Sequence, residues 1–360
     1  MSSSVYRAIG LMSGTSLDGV DAAWLETDGE AILATGPALT LHYQGDLRAD
    51  LRRLLDLAPT IGPDDEFLRA TERRLTEDHA VAVAMLGRPA DLIGFHGQTI
   101  LHAPDRRMTW QIGNAALLAG RTRMNVVHDF RSADVAAGGQ GAPMVPLFHA
   151  ALARGMAKPL MIVNIGGVGN MTFLGRDGEI LACDTGPGNG PLDDFLQRHT
   201  GQPYDKDGAL AGAGHARQDR LAQLMSHPYF ARPAPKSLDR LTFSGLIAQA
   251  VAGLDVPDGA ATLAAFTATA IANAPIPERP LRVLVCGGGR KNLNIMHRLR
   301  AAFACPVDAV EDVGWDGDAL EAQCFAYLAV RSILNLPLSV PTTTGVPTTQ
   351  TGGRLVEPSD

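Results

Sequence analysis

The stretch LMSGTSLDGVD, residues 11–21, lies between two apolar alternating runs: Tyr6, Ala8, Ile9 and Leu11 before it, and Val20, Ala22, Trp24 and Leu25 after it. The runs predict two strands. Gly14, Thr15, Ser16, Asp18 and Gly19 form the turn between them. Glycine permits a tight backbone that closes on a ligand, and Ser and Thr add hydroxyl donors. Such a turn suits the phosphates of a Mg-nucleotide. Asp-Gly is also a strong signal for an ordinary hairpin, so this window alone leaves both readings open.

Outward from it, strand-like and helix-like segments alternate. Residues 31–43 extend the opening strands, and helices are expected at 46–57 and 64–86. A short strand at 91–95 ends in HGQT, followed by a strand at 108–112, a helix from 114 to 120 and a strand at 126–129. The Gly/Ala-rich run 133–143 is the expected crossing between domains, or else a long surface loop. A helix at 145–154 and three strands at 160–165, 170–174 and 179–184 come next. Helices are expected at 191–199, 215–227, 244–254, 258–273, 293–303 and 318–334, with a strand at 281–286. The second set of strands opens with VNIGGVGNMTFL, a loose echo of GLMSGTSLDGVDAAWL. The expectation is therefore a duplicated α/β unit with a ligand cleft between the copies. It divides into residues 1–132 and 133–337. The Thr/Pro/Gly-rich tail, 338–360, is expected to belong with the first domain, irregular and either mobile or laid across the surface.

Composition narrows the class. At 360 residues and 46% hydrophobic content the chain can build two cores. A formal net charge of -7 argues against a general nucleic-acid or anionic-membrane surface. Cys183, Cys286, Cys305 and Cys324 have no CxxC spacing, which reads as free thiols in a reducing compartment. The N-terminal residues lack a signal-peptide pattern and no apolar run is long enough to span a bilayer, so a cytoplasmic protein is expected.

Four further windows carry chemistry. IGGVGN, residues 165–170, is a second small-residue hairpin that exposes backbone N–H groups and the Asn170 amide. CDTGPGN, residues 183–189, places Asp184 at an expected strand end, with Gly186 and Gly188 allowing close approach to a ligand and a helix N-terminus that favours anions. Asp184 also fits a turn or cap. CGGGRKN, residues 286–292, lacks GxGxxG spacing. Its glycines either let a flat base such as adenine lie on the main chain or pack a strand closely on a helix. FHGQT offers His96, Gln98 and Thr99 to sugar hydroxyls. Arg131, near Asp129 and Asp134, either binds a substrate carboxylate or makes a structural ion pair. Glu321 opens the final helix, where an acid is also favoured by the helix dipole. There is no GxxxxGK[ST], GxSxG or HExxH.

MSGTSLDGVD at 12–21, GFHGQT at 94–99, HDFR at 128–131, NIGGVGN at 164–170, DTGPGN at 184–189, GGGRKN at 287–292 and GDALEA at 317–322 occur in one order along nearly the whole chain. Together they resemble the anhydro-N-acetylmuramic acid kinases. The resemblance implies an actin-like, sugar-kinase (ribonuclease H-like) fold with ATP in an interdomain cleft. It implies ATP contacts at Gly14, Thr15, Ser16, Leu17, Asp18, Gly19, Val20 and Asp21, at Gly166, Gly167 and Asn170, and at Gly287, Gly288, Gly289 and Asn292. Sugar contacts are implied at His96, Gln98, Thr99, Arg131, Gly186 and Asn189, with Mg2+ near Asp18. Asp184 is implied as the general base that activates water and Glu321 as the group that helps hold it. The implied reaction opens the 1,6-anhydro ring of anhydro-N-acetylmuramic acid, phosphorylates O6 and serves cell-wall recycling. A homodimer is also implied. The rival expectations are a kinase for another anhydrosugar, such as levoglucosan, and a non-catalytic actin-like ATP-binding protein.

Overall fold

The computed structural model describes residues 4–14, 17–239 and 242–359. Thr15 and Ser16 lie outside the described residues. The chain forms two compact units: Met1–Arg154 with Ala319–Asp360, and Gly155–Asp318.

The first unit is built on a mixed sheet. Strands β1 (Tyr6–Ser13), β2 (Gly19–Thr27) and β3 (Ile32–His42) form an antiparallel meander. Strand β4 (Leu92–Ala103) runs parallel to β1. Strand β5 (Met108–Ile112) pairs antiparallel with β4, and β6 (Asn125–His128) parallel to it. The tail strand Arg354–Val356 closes the edge beside β6. The order is tail strand, β6, β4, β1, β2, β3.

Alternation along β1 decides its two faces. Ile9 and Leu11 enter a core with Val20, Trp24, Phe95 and the helices Gly45–Leu57 and Glu66–Leu86. Asp65 caps the second of these helices by accepting from the Phe67 and Leu68 amides, and left-handed Gly87 ends it. Gly10, pointing the other way, meets the helix Leu320–Ile333. A Cβ on Gly10 would lie 1.7 Å from the Ala322 carbonyl oxygen. A Cβ on Gly94 would lie 2.0 Å from that of Phe325. Gly10 and Gly94 are register partners on β1 and β4, so one bare strip across two strands seats the helix.

The second unit repeats the topology. Strands β7 (Leu160–Ile165), β8 (Val168–Leu174) and β9 (Ile180–Pro187) form an antiparallel meander. Strand β10 (Arg282–Cys286) lies parallel to β7, and β11 (Val307–Ala309) parallel to β10. The order β11, β10, β7, β8, β9 matches β6, β4, β1, β2, β3 in sequence and sense. Two copies of this mixed five-strand order are the ribonuclease H-like α/β fold, and the loose echo between the two hairpins is a shared place in the sheet. The helix Val256–Ala272 packs in the core of this unit with Phe195, Phe243 and Leu299.

Three expectations need correcting. The boundaries fall at 154/155 and 318/319, not at 132/133 and 337/338. Residues 133–154 stay with the first unit because buried Asp134 holds them there. Its carboxylate accepts from the Gly141 amide (2.6 Å), Ser339 Oγ (2.5 Å) and Thr344 Oγ1 (2.6 Å). The final helix joins the same unit through the glycine strip. Second, the tail is not irregular throughout: it carries a short helix, Pro341–Thr344, and the edge strand. Third, the strand expected at 91–95 continues to Ala103, so HGQT lies within it; left-handed Gly97 fits a shift there because its Cβ position is blocked by the Ile112 carbonyl.

Replacing Gly10 with Ala should lower unfolding stability by at least about 1–3 kcal/mol, since backbone, not a flexible side chain, fills the Cβ position. Urea denaturation checks this; an unchanged midpoint would show that the helix is free to retreat.

Candidate active site

In the first unit, Ser13 at the end of β1 is held from behind. Tyr43 donates to Ser13 Oγ (2.5 Å), and Ser13 Oγ donates to Gln98 Oε1 (2.5 Å). That direction follows because Gln98 Nε2 donates to the Thr99 carbonyl, which leaves Oε1 as the acceptor. Burial pushes the Tyr43 pKa up, so the phenol stays neutral. Gln98, expected on the sugar, is fully buried and holds the hairpin instead. Thr99 Oγ1 accepts from Gln111 Nε2.

Leu17 adopts a left-handed backbone (φ 57°) and its amide donates to the Gly14 carbonyl. The Leu17 and Val20 side chains belong to the core. A Gly19 Cβ would strike the Leu41 carbonyl, so this glycine is required by β3. Asp21 accepts from Thr40 Oγ1 on that strand. Asp18 is the exposed acid, paired with exposed Arg48 at 3.2 Å.

His96 and Arg131 form a single device. Arg131 Nε donates to His96 Nε2 (3.0 Å), and a guanidinium can only donate. His96 therefore carries its proton on Nδ1 and gives it to the Gly97 carbonyl (2.8 Å). Burial, then the Arg131 charge, hold the imidazole neutral, well below its usual pKa. Arg131 Nη1 donates to the Gly141 carbonyl, and the guanidinium lies 6.0 Å over the Phe325 ring. The ion-pair alternative with its neighbours is not realised among the described residues. Asp129 pairs with Arg354 (3.0 Å), and Asp134 is bound by the tail. Glu321, exposed in the first turn of its helix, helps keep Arg131 charged. Beside His96 lies a pocket of about 240 Å3, lined also by Phe95, Trp110, Gln111, His128 and Ser132.

In the second unit, Asp184 is clasped by one segment. Its amide donates to the Lys236 carbonyl (2.9 Å) and its carbonyl accepts from Tyr229 Oη (2.7 Å). The Leu238 amide donates to Oδ2 (2.7 Å), and Oδ1 makes no hydrogen bond to a described residue. Burial pushes the Asp184 pKa up to about 7, against the pull of the Leu238 hydrogen bond. Asp184 lies inside β9, which runs on to Pro187, and not at the strand end.

The glycine windows separate into support and surface. The Gly166 and Gly167 carbonyls accept from the amides of Gly188, Asn189 and Gly190. Those leading amides of the helix Gly190–Thr200 are thus committed to the hairpin, and the anion site expected there is reduced. Asn189 Nδ2 donates to the Ile165 carbonyl, and Asn170 pairs with Asp184 across the strands. A Gly186 Cβ would crowd Ala270 and Phe230. Gly287 and Gly289 are demanded by packing on Asn164 and Ile165, whereas Gly288 has only Asn189 Nδ2 near, at 3.4 Å. Asn292 caps the helix Leu293–Ala302, accepting from the Asn294 and Ile295 amides.

The sequence model for Anhydro-N-acetylmuramic acid kinase matches residues 6–357. This chain belongs to the anhydro-N-acetylmuramic acid kinase family. A relative of that name from Acidiphilium cryptum (strain JF-5) is 66% identical over 352 residues, covering 98% of each chain. Another, from Paramagnetospirillum magneticum (strain ATCC 700264 / AMB-1), is 51% identical over 349 residues, covering 96% of this chain and 98% of its own. Among the described residues, no helix is long and apolar enough to cross a membrane.

Sequence reasoning on this kinase missed Ser13 and Tyr43 behind the hairpin, the clasp from Tyr229 to Leu238, and the Trp110–Ser132 side of the pocket. None carries a local signal, because each acts across tens of residues. It also missed Arg290. That side chain is 4% exposed and binds Glu311 (2.7 Å), Asp318 (3.0 Å) and the Gly287 carbonyl, so GGGRKN and GDALEA interlock. Arg290→Met should lower stability by roughly 1.5–3 kcal/mol through lost charge-assisted hydrogen bonds. Denaturant midpoints read this, and wild-type stability would reduce the triad to a surface pairing.

Proposed function

We propose that this chain uses ATP to convert 1,6-anhydro-N-acetylmuramic acid into N-acetylmuramic acid 6-phosphate and ADP, opening the anhydro ring with water, as a step in cell-wall recycling. The observation that carries the mechanism is Asp184: a carboxylate held through one oxygen, with its pKa pushed up to about 7. Asp184 takes a proton from water as the water oxygen bonds to C1. The C1–O6 bond breaks, and O6 takes the γ-phosphoryl group while ADP leaves. Capture of O6 by phosphorus removes the need for a separate strong acid. Glu321 helps hold the water, and Arg131, whose Nη2 hydrogen-bonds no described residue, offers that edge to the lactyl carboxylate.

The first hairpin of each unit stands at the same place in its sheet, which supports parallel roles for both turns on the ATP phosphates. Gly288 is the glycine left open for adenosine. Mg2+ when bound neutralises phosphate charge. Among the described residues no cluster of three acids, His or Cys could cage a metal. One exposed carboxylate, Asp18, fits an ion that keeps several waters and binds mainly through substrate phosphates.

Asp184→Asn should keep ATP affinity and lower kcat by roughly 100- to 10,000-fold, the range of general-base assistance. The active form is the carboxylate, so wild-type kcat should fall about tenfold per pH unit below a pKa of about 7 and level off above it. Mass analysis of product made in 18O water should place label at C1 and none in the phosphate. Near-normal turnover in Asp184→Asn, or label in the phosphate, contradicts the mechanism.

A further inference from the structure

Lys236 is a buried cation to which the site described above gives no task. It is 5% exposed, and among the described residues no carboxylate pairs with it. Its Nζ donates to the Tyr229 carbonyl (3.1 Å) and lies 4.5 Å from the centroid of the Tyr229 ring. Burial lowers its pKa from the usual lysine value. A buried ammonium is costly to keep, and here one residue, Tyr229, supplies both of its contacts.

These contacts close a ring around Asp184. Strand β9 is the outermost of its sheet, and the Asp184 main chain bonds outward from it. The Asp184 amide donates to the Lys236 carbonyl, and the Asp184 carbonyl accepts from Tyr229 Oη. The Lys236 ammonium returns to the Tyr229 carbonyl. Two residues further on, the Leu238 amide holds Asp184 Oδ2. The sequence explains why the segment binds at so few points. In RPAPK, residues 232–236, Pro233 and Pro235 lack an N–H and favour extended backbone, so no regular strand adds to this edge. Cys183 on β9 and Tyr229 opposite are both pushed up by burial and stay neutral beside the carboxyl. Arg232 lies 5.9 Å over the Tyr229 ring.

We propose that Lys236 is a positioning residue for Asp184: its ammonium fixes Tyr229, and the Tyr229 hydroxyl with the Lys236 and Leu238 main chain holds the carboxylate in place for proton transfer. The inference rests on the proposed reading of Asp184 as the base that activates water. The lysine acts through Tyr229 and not on a reactant. Without the cation, residues 229–238 are tied to the strand by fewer bonds and the Leu238 contact loosens. The carboxylate then loses the hydrogen bond that favours its ionised form.

Lys236→Met keeps the apolar stem and removes the charge. It should lower kcat roughly ten- to a hundredfold, the scale of a misplaced catalytic group, and leave KM for ATP unchanged. Loss of the Leu238 bond should also move the acid limb of the kcat–pH profile upward from about 7, because a carboxyl of higher pKa stays protonated to higher pH. Partial unfolding lowers kcat but does not move that limb. Tyr229→Phe removes one hydroxyl and keeps the ring that Lys236 covers, so the test stands even where the lysine variant does not fold. It should show a loss and a shift in the same direction. The double variant should cost no more than the worse single one, since both act through one clasp. A wild-type pH profile in both variants, or effects that multiply in the double variant, overturns the proposal while Asp184 remains the base. Near-normal turnover in Asp184→Asn removes the base itself, and this inference falls with that reading.

Discussion

The first unit depends on the contact of one helix with two glycines. Gly10 and Gly94 sit side by side on parallel strands, and the helix Leu320–Ile333 lies against them at backbone distance. Any side chain at either position would overlap a helix carbonyl. The contact draws a segment more than two hundred residues downstream into the N-terminal unit. It also fixes where the helix begins, and so where Glu321 stands relative to Arg131. Phe325, one turn further on, packs on His96 with ring centroids 4.4 Å apart, so the floor of the pocket rests on the same helix.

Two titratable groups are tuned in opposite senses by the same physical effect. Desolvation disfavours whichever form is charged. It raises the Asp184 carboxyl toward neutrality of solution and lowers His96 far out of that range. The Asp184 carboxyl is thereby set to change protonation at about pH 7. His96 is held neutral with one nitrogen on Arg131 and the other on the Gly97 carbonyl. The hydrogen bonds differ in the same way: among the described residues the carboxylate has one oxygen bound, whereas both imidazole nitrogens are engaged.

Glycines in the recurring windows serve two purposes, and packing separates them. Gly19, Gly287 and Gly289 exist because backbone or side chain occupies the space where a Cβ would be. Gly288 faces comparatively open space, and Gly166 and Gly167 lend carbonyls to the next loop. A glycine-rich motif is thus partly structural mortar around a small functional surface. The buried Arg290 triad has the same character, since it binds the glycine turn to the segment ahead of the final helix.

Alternation of apolar residues and the turn chemistry of Gly14–Gly19 and Gly166–Gly169 made both opening hairpins legible, because these are local properties with periods of two and a few residues. The helices were legible for the same reason, and Asp184 stood out as an acid among glycines. Seven short windows in order were specific enough to indicate the family. Long-range closure was not legible. Asp134 with Ser339 and Thr344, Gln98 with Ser13, and Asp184 with Leu238 join positions whose separation the chain does not encode locally. For that reason the domain boundary, the ordered tail, the inward turn of Gln98 and the capping role of Asn292 were decided by tertiary structure. Sequence determined which residue types were available at each turn; packing determined which of them remain free to meet a ligand, because a buried polar group must first satisfy its neighbours.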